Sequence, residues 1–204
     1  GERFRLYWDT EKYVAPEEKK PVMPTNFQAY AGRGANVRHV DHVNLLAQDV
    51  RAQREFWERG FGLRTYEIIL TDDGEGEIGA WMSSTIQGHE LIYTQDQSQT
   101  GSGRLHHFAY LVDNREEVLR AADIMADARV PIEAGPSKHT AIQGFYLYTR
   151  EPGGNRIEVA HAGYLWFDPS SDPYVWTMAE CRTKPGRGAR TPPEFHTYGT
   201  PDVP

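Results

Sequence analysis

Apolar and polar residues alternate along the chain in a pattern that predicts the same set of elements twice. Each set consists of a strand, a helix and three further strands, and the two sets occupy residues 37–98 and 103–162. The predicted elements of the first set are a strand at 37–47, a helix at 50–59 and strands near 62–70, 77–84 and 88–95. Those of the second set are a strand at 104–112, a helix at 115–128 and strands near 129–133, 144–150 and 155–161. Each set is therefore a βαβββ module.

Two adjacent βαβββ modules predict an α+β fold. Their strands would form one curved, cup-like mixed sheet, and the helices would cover its outer surface. The residues that define the second helix are Val118, Leu119, Ala122 and Met125, which recur at helical spacing. The inside of the cup is the expected place for a site that both modules build.

The segments on either side of the modules follow other patterns. Residues 1–9 predict a strand with Phe4, Leu6 and Trp8 on one face, and this strand aligns with the run Gly154–Val159. The alignment predicts that the strand is the last one of an otherwise absent N-terminal domain, unless two short segments are similar by chance.

A linker and a tail complete the chain. Residues 10–36 are polar and contain several prolines and glycines, which predicts a linker with little regular structure. Residues 163–204 are rich in aromatic residues and proline without sustained periodicity. We expect them to form an extended tail that wraps over the domain.

Composition, net charge and cysteine content limit the classes of protein to which this chain could belong. A chain of 204 residues with 39% hydrophobic and 25% charged residues fits an ordinary soluble globular domain. The net charge of −7 argues against a nucleic-acid partner, and no apolar run approaches the roughly 20 residues that cross a bilayer. The single cysteine, Cys181, agrees with a reducing compartment. We therefore expect a cytoplasmic protein.

Three predicted strands each carry one residue suited to a metal ion. His42 and His107 occupy equivalent positions in the first strands of the two modules, and Glu158 lies in the last strand. Each would point into the cup, because successive side chains of a strand alternate between its faces. Two imidazoles and one carboxylate leave open positions on the ion, as in non-haem Fe(II) oxygenases.

The same alternation predicts that residues next to the three candidate ligands point to the other face of their strands. Asp41 is predicted to face away from the side of His42, and only one of His106 and His107 is predicted to face the site. The histidines expected to be surface or packing residues are His39, His161 and His196.

Five runs of the sequence resemble one enzyme family. They are Gly103–Tyr110, Leu119–Asp123, Gly135–His139, Tyr146–Tyr148 and Pro152–Val159. Together they resemble the type I extradiol ring-cleaving dioxygenases of the vicinal oxygen chelate superfamily, the group of catechol 2,3-dioxygenase and homoprotocatechuate 2,3-dioxygenase. The resemblance implies paired βαβββ modules forming a curved mixed sheet around a metal site, in the C-terminal of two domains.

The resemblance also implies roles for eight residues. His42, His107 and Glu158 match the family's Fe(II) ligands, with Mn(II) as a possible replacement, and His89 matches its acid–base histidine. The residues that match groups holding the substrate oxygens are His139 and Tyr148, and those that match the substrate and oxygen pocket are Asn44 and Trp81.

The position where the homoprotocatechuate type carries an arginine for a substrate carboxylate is Ala134. The basic residues of the tail, without a clear counterpart in that type, are Arg182, Lys184, Arg187 and Arg190. The ring substituent of the substrate therefore stays open.

By resemblance, the expected function is extradiol (meta) cleavage of a catechol by dioxygen at a non-haem Fe(II) site, giving a muconic semialdehyde type product. A homo-oligomer is also expected. Three alternatives stay open: a Mn(II) enzyme with the same chemistry, another vicinal oxygen chelate metalloenzyme of the glyoxalase, epimerase or transferase type, and a catalytically silent metal-binding or structural domain.

Overall fold

Nine strands form one mixed sheet in the computed structural model, which describes residues 3–20, 34–98, 103–161, 163–183 and 191–200. The elements of the first module are β1 (His39–Ala47), α1 (Val50–Phe61), β2 (Arg64–Leu70), β3 (Glu77–Ser83) and β4 (Leu91–Gln95). Those of the second module are β5 (Arg104–Leu111), α2 (Arg115–Asp127), β6 (Ile132–Lys138), β7 (Phe145–Arg150) and β8 (Arg156–His161). The elements of the tail are β9 (Tyr174–Thr177), α3 (Met178–Thr183) and a 3₁₀ turn at Pro193–His196.

The strand order confirms the predicted pair of βαβββ modules. The order across the sheet is β6-β7-β8-β5-β1-β4-β3-β2-β9. Within each module the first strand pairs in parallel with the last, β1 with β4 and β5 with β8, and the antiparallel pair of β1 with β5 joins the modules. The first strands of both modules therefore lie side by side at the centre of the sheet.

Each helix begins at a side chain that caps it. The Ala52 backbone N–H donates to Asp49 at the start of α1, and the Glu117 backbone N–H donates to Asn114 at the start of α2. Gly62 ends α1 in the left-handed region, at a φ of 72° that favours glycine.

The module helices α1 and α2 pack against one face of the sheet and form two separate cores. The buried residues of the first core are Leu45, Ala47, Val50, Ala80, Met82 and Tyr93, and those of the second are Val112, Val118, Ala121, Phe145, Leu147 and Val159. Because strand side chains alternate, the opposite face of the same strands is left free to line a cavity. None of the described helices has both the length and the apolar character needed to cross a membrane.

The predicted strand at residues 1–9 is wrong for the residues that the structure describes. Residues 3–9 have no strand conformation, and Leu6 and Trp8 are exposed. No described strand lies beside this segment, and an unpaired strand leaves its backbone groups without partners. Phe4 contacts Trp57 of α1, with ring centroids 4.9 Å apart.

Three further features differ from the prediction, in a strand of the second module, in the tail and in the linker. The strand expected near 129–133 lies at Ile132–Lys138, because Arg129 has a φ of 58° and extends the turn after α2. The tail is not purely extended, because it contains α3 and the 3₁₀ turn, and its strand β9 pairs in parallel with β2 at the edge of the sheet. A four-residue strand is too short to give a periodic signal. The predicted linker carries a 3₁₀ turn at Glu17–Lys19, and its residues 21–33 lie outside the described part.

Candidate metal centre

The register of the central strands brings the predicted ligands together. His42 of β1 lies opposite Ala109 of β5, and Ala109 lies opposite Glu158 of β8. On the next row, His107 of β5 lies opposite Asn44 of β1. Residues that face each other across paired strands share a face of the sheet, so both histidines and the carboxylate point to the same side.

Three atoms of these residues form a nearly equilateral triangle. His42 Nε2 lies 3.0 Å from His107 Nε2 and 3.2 Å from Glu158 Oε2, and His107 Nε2 lies 3.1 Å from Glu158 Oε2. Ligands at right angles around one ion and about 2.2 Å from it stand about 3.1 Å apart, and such bond lengths are typical of imidazole and carboxylate ligands. The triangle therefore fits one face of a divalent metal's coordination sphere.

The hydrogen bonding of these atoms supports the same fit. Within the described part of the chain, the buried Glu158 Oε2 has no hydrogen-bond partner of good geometry. His42 Nδ1 lies 2.8 Å from Asp41 Oδ2. When neutral, a ring that donates its Nδ1–H to a carboxylate keeps a free lone pair on Nε2, which is the form that binds metal.

Burial and charge move the pKa values of the cluster in different directions. Burial acts to lower the pKa of His42, but Asp41 and Glu158 together raise it to about 9. Burial lowers the pKa of His107 to about 4, despite the nearby Glu158. Burial acts to raise the pKa of Glu158, yet the imidazoles of His107, His139 and His42 hold it well below its usual value. Glu158 is therefore an ionised carboxylate among imidazoles.

Two β-bulges overturn the predicted separation of neighbouring residues. Asp41 is an extra residue between Val40 and His42 in the pairing of β1 with β5, and His106 is an extra residue beside His107 in β5. Both extra residues line the same cavity as the ligands. The prediction that Asp41 faces away, and that only one of His106 and His107 faces the site, is therefore wrong, because a bulge interrupts the strict alternation.

The predicted pair His139 and Tyr148 lies beside Glu158. His139 Nε2 is 3.0 Å from the Tyr148 hydroxyl and 3.5 Å from Glu158 Oε1. The His139 ring stacks on Tyr146, with ring centroids 3.8 Å apart, a contact that the sequence did not indicate. Burial, and then Glu158, raises the pKa of Tyr148 well above its usual value. Tyr148 is therefore a hydroxyl donor at neutral pH.

The three other predicted residues also line the cavity. His89 lies against His42, with ring centroids 4.4 Å apart, and its buried Nδ1 has no hydrogen-bond partner among the described residues. Asn44 exchanges hydrogen bonds with Thr94 at 3.0 and 3.1 Å. Trp81 lies two strands away from β1, beyond Ile92 of β4. All eight predicted residues therefore meet at one cavity of about 260 Å³.

The tail supplies cavity residues that sequence analysis did not assign to the site. They are Met178, Cys181, Phe195 and His196. His196 was expected to be a surface or packing residue, whereas His39 and His161 lie outside the cavity lining. Of the basic tail residues, Arg182 pairs with Asp72 at 3.2 Å on the surface, and Lys184, Arg187 and Arg190 lie outside the described residues.

Known proteins that resemble the chain are ring-cleaving dioxygenases. The manganese-dependent 2,3-dihydroxybiphenyl 1,2-dioxygenase of Geobacillus genomosp. 3 is 37% identical over 88% of this chain and 57% of its own length. The metapyrocatechase of Geobacillus stearothermophilus is 33% identical over 92% of this chain and 56% of its own length. The chain thus spans somewhat more than half the length of the curated relatives it matches.

A solved structure and a family profile place the chain in the same group as these relatives. The homoprotocatechuate 2,3-dioxygenase of Brevibacterium fuscum, in an anaerobic substrate complex, superposes with a TM-score of 0.71 at 28% identity, over 81% of this chain and 51% of that one. The fold is accordingly that of the vicinal oxygen chelate proteins. A profile of one superfamily matches residues 39–159. The chain therefore belongs to the glyoxalase/bleomycin resistance protein/dioxygenase superfamily.

Proposed function

We propose that this chain carries the metal centre and substrate pocket of an extradiol dioxygenase, which opens a catechol ring beside its two hydroxyl groups and incorporates both atoms of dioxygen. The observation that carries the proposal is the triangle of His42 Nε2, His107 Nε2 and Glu158 Oε2, 3.0 to 3.2 Å on a side, at the wall of a cavity. Similarity to a relative named as a dihydroxybiphenyl dioxygenase and to two metapyrocatechases supports it.

His42, His107 and Glu158 would hold the metal and would leave positions on it open to substrate. When bound, Fe(II) or Mn(II) supplies a Lewis acid for the two catechol oxygens and electrons for dioxygen. One carboxylate and two neutral imidazoles leave a divalent site net positive, which favours a catecholate anion over a neutral ligand. One relative is named as manganese-dependent, so both metals belong to the test.

His139 and Tyr148 hold the substrate oxygens. The Tyr148 hydroxyl and His139 Nε2 lie 3.0 Å apart, and the raised pKa of Tyr148 keeps its proton available for donation. A buried donor that is already oriented stabilises negative charge on an oxygen without reorganisation. These two side chains therefore fix the orientation of the catechol at the metal.

His89 acts as the acid–base group, beside His42 in the lining of the cavity. Its ring packs on His42, and its Nδ1 has no hydrogen-bond partner in the described part of the chain. An imidazole so placed can accept a proton from bound substrate and return it. Asn44 and Trp81 complete the pocket for substrate and oxygen.

The test is oxygen uptake by the chain after anaerobic loading with Fe(II) or Mn(II). Catechol, 4-methylcatechol and homoprotocatechuate are offered in turn, while the yellow ring-opened product is recorded, and the unloaded chain is the control. Uptake coupled to yellow product is the expected result. A chain that retains its metal and takes up no oxygen with any catechol would instead be another metalloenzyme of this superfamily or a silent domain.

The variant His89→Phe separates the acid–base role from metal binding. We expect it to retain metal and catechol and to slow turnover at least 100-fold, because general acid–base catalysis contributes roughly 100- to 10,000-fold. Metal content and turnover are measured on the same sample. Loss of metal from this variant would show that His89 had been assigned the wrong role.

The homo-oligomer and the cytoplasmic location stay predictions.

A further inference from the structure

One buried histidine connects a candidate metal ligand to the C-terminal segment. His106 occupies the bulge of β5, and its Nδ1 lies 2.6 Å from Nδ1 of His107. Its other nitrogen, Nε2, lies 2.7 Å from the backbone carbonyl oxygen of Phe195, which is 89 residues further along the chain. Only 1% of His106 is exposed, so water does not compete for these two contacts.

The Phe195 carbonyl determines which ring nitrogens of His106 and His107 carry the protons. A carbonyl oxygen has no hydrogen to donate, so Nε2 of His106 must carry the proton of that hydrogen bond. A neutral His106 then has a bare Nδ1, which accepts the Nδ1–H of His107. A neutral His107 with its proton on Nδ1 has a free lone pair on Nε2, and Nε2 is the atom at the corner of the metal triangle.

We propose that His106 and the Phe195 carbonyl are positioning groups, which together fix the tautomer and the ring orientation of His107 for metal binding. This inference rests on the proposed metal site and goes beyond it, because it makes the C-terminal segment part of that site. The other imidazole ligand, His42, is oriented by Asp41 on its own strand. The two ligands are therefore prepared by different means, one local and one across the fold.

The C-terminal segment is held firmly enough to serve this purpose. The Phe195 ring packs between the rings of His106 and Tyr148, at centroid distances of 4.8 Å to each, and under the Arg156 guanidinium at 4.4 Å. Further along, the Tyr198 hydroxyl donates to the Gly154 backbone oxygen at 2.7 Å. The orientation of the Phe195 carbonyl is therefore set by packing on β5, β7 and β8.

Nitrogen NMR of the histidine rings tests the inference directly. Long-range ¹H–¹⁵N correlation spectra of the full chain, both metal-free and loaded with diamagnetic Zn(II), report which ring nitrogen carries the proton. We expect His106 as the Nε2–H tautomer in both states and His107 as the Nδ1–H tautomer. A proton on Nδ1 of His106 would overturn the inference, because that atom could no longer accept from His107.

Metal affinity of matched variants provides the second readout. His106→Leu removes the acceptor and should weaken Zn(II) and Mn(II) binding at least tenfold in chelator competition, since partners of a ligating histidine typically contribute 10- to 100-fold. His106→Gln can accept from His107 and donate to the Phe195 carbonyl, so it should restore affinity to within about threefold of the native chain. Equal affinity of the Leu variant and the native chain would overturn the inference.

The control is His161→Leu, which removes another strand histidine that contacts a backbone carbonyl, at 3.0 Å from Val112, but lies outside the cavity lining. It should leave metal affinity unchanged. A native chain that binds no metal would refute the proposed metal site, whereas the tautomer of His106 in the metal-free spectrum still decides the present inference. The two failures are therefore distinguishable.

Discussion

Two glutamates of this protein are equally buried and have opposite chemistry. Glu158 is 2% exposed and Glu67 is 1% exposed, and both lie on strands of the same sheet. Imidazoles surround Glu158 and lower its pKa, whereas burial raises the pKa of Glu67 above its usual value. Burial alone therefore does not determine what a carboxylate does, and the groups that face it decide.

The two N–H groups that donate to Glu67 have no lone pair to offer to a metal. The Ile142 backbone N–H donates to Glu67 Oε2 at 2.7 Å, and the Trp176 indole N–H donates to Oε1 at 3.3 Å. Ile142 has a φ of 62°, which is strained for a β-branched residue. Glu67 thus stabilises the turn after His139 and attaches the tail to it, whereas the Glu158 cluster has nitrogen and oxygen lone pairs that converge on one point.

The largest expected effect comes from removing the carboxylate of Glu158, one of the three proposed metal ligands. Glu158→Ala should weaken metal binding more than 100-fold and reduce turnover below detection, because it takes away one of three ligands and the only negative one. Metal content per chain by elemental analysis and oxygen uptake are the measurements. Full metal content in this variant would place the metal elsewhere.

The second-largest expected effect comes from Glu67, and it changes the stability of the fold rather than metal binding. Glu67→Ala removes the acceptor of the buried Ile142 N–H and of the part-buried Trp176 indole N–H, and at roughly 1–3 kcal/mol for a buried donor that loses its acceptor we expect a loss of about 1–3 kcal/mol in the free energy of unfolding. Denaturant unfolding measures this loss, with the exposed Glu75→Ala as the control at less than about 0.5 kcal/mol. Metal content should be unchanged at temperatures where the variant is folded. Metal loss without a loss of stability would abolish the contrast between the two glutamates.

A third variant tests whether Asp41, which contacts His42, contributes to metal binding. Asp41→Ala removes the acceptor that lies 2.8 Å from His42 Nδ1, and we expect metal affinity to fall by about 10- to 100-fold. Asp49→Ala is the control, since it removes the cap of α1 and should cost about 1 kcal/mol of stability without changing metal affinity. Equal metal affinities in the two variants would mean that Asp41 does not orient His42.

The smallest effect is the pH dependence of stability at Glu67. Because the pKa of Glu67 in the fold is raised above the 4.5 of the unfolded chain, the fold favours the protonated form. The contribution of Glu67 is complete below pH 4.5 and is lost as the pH rises through the raised value. The groups that face this carboxyl are Ile142, Tyr164, Trp176 and Cys181.

Urea unfolding at several pH values from 4.5 to 8, for the native chain and Glu67→Gln, measures this dependence. The difference in unfolding free energy between the native chain and the neutral variant should shift in favour of the variant as the pH rises. A shift in the opposite direction would mean that the donors around Glu67 outweigh its burial.

The sequence determined the order of the elements and the type of the site. Apolar periods of two and of about 3.6 are local properties, so ten elements of the two modules could be located to within a few residues. The pairing of His42 with His107 follows the same logic, because equivalent positions in repeated modules point to a common place, whereas Glu158 lies in the last strand of the second module. The pocket residues came from family resemblance, which carries tertiary information that periodicity lacks.

Only the tertiary structure decided the details around the ligands. Whether Asp41 and His106 face the site depends on two bulges, and a bulge arises from the pairing of β1 with β5 rather than from either strand alone. The Phe195 carbonyl reaches His106 from a segment without periodic signal, and β9 is a strand because the edge of β2 is available to it. Contacts between residues far apart in the chain depend on strand register and packing, which local sequence patterns do not specify.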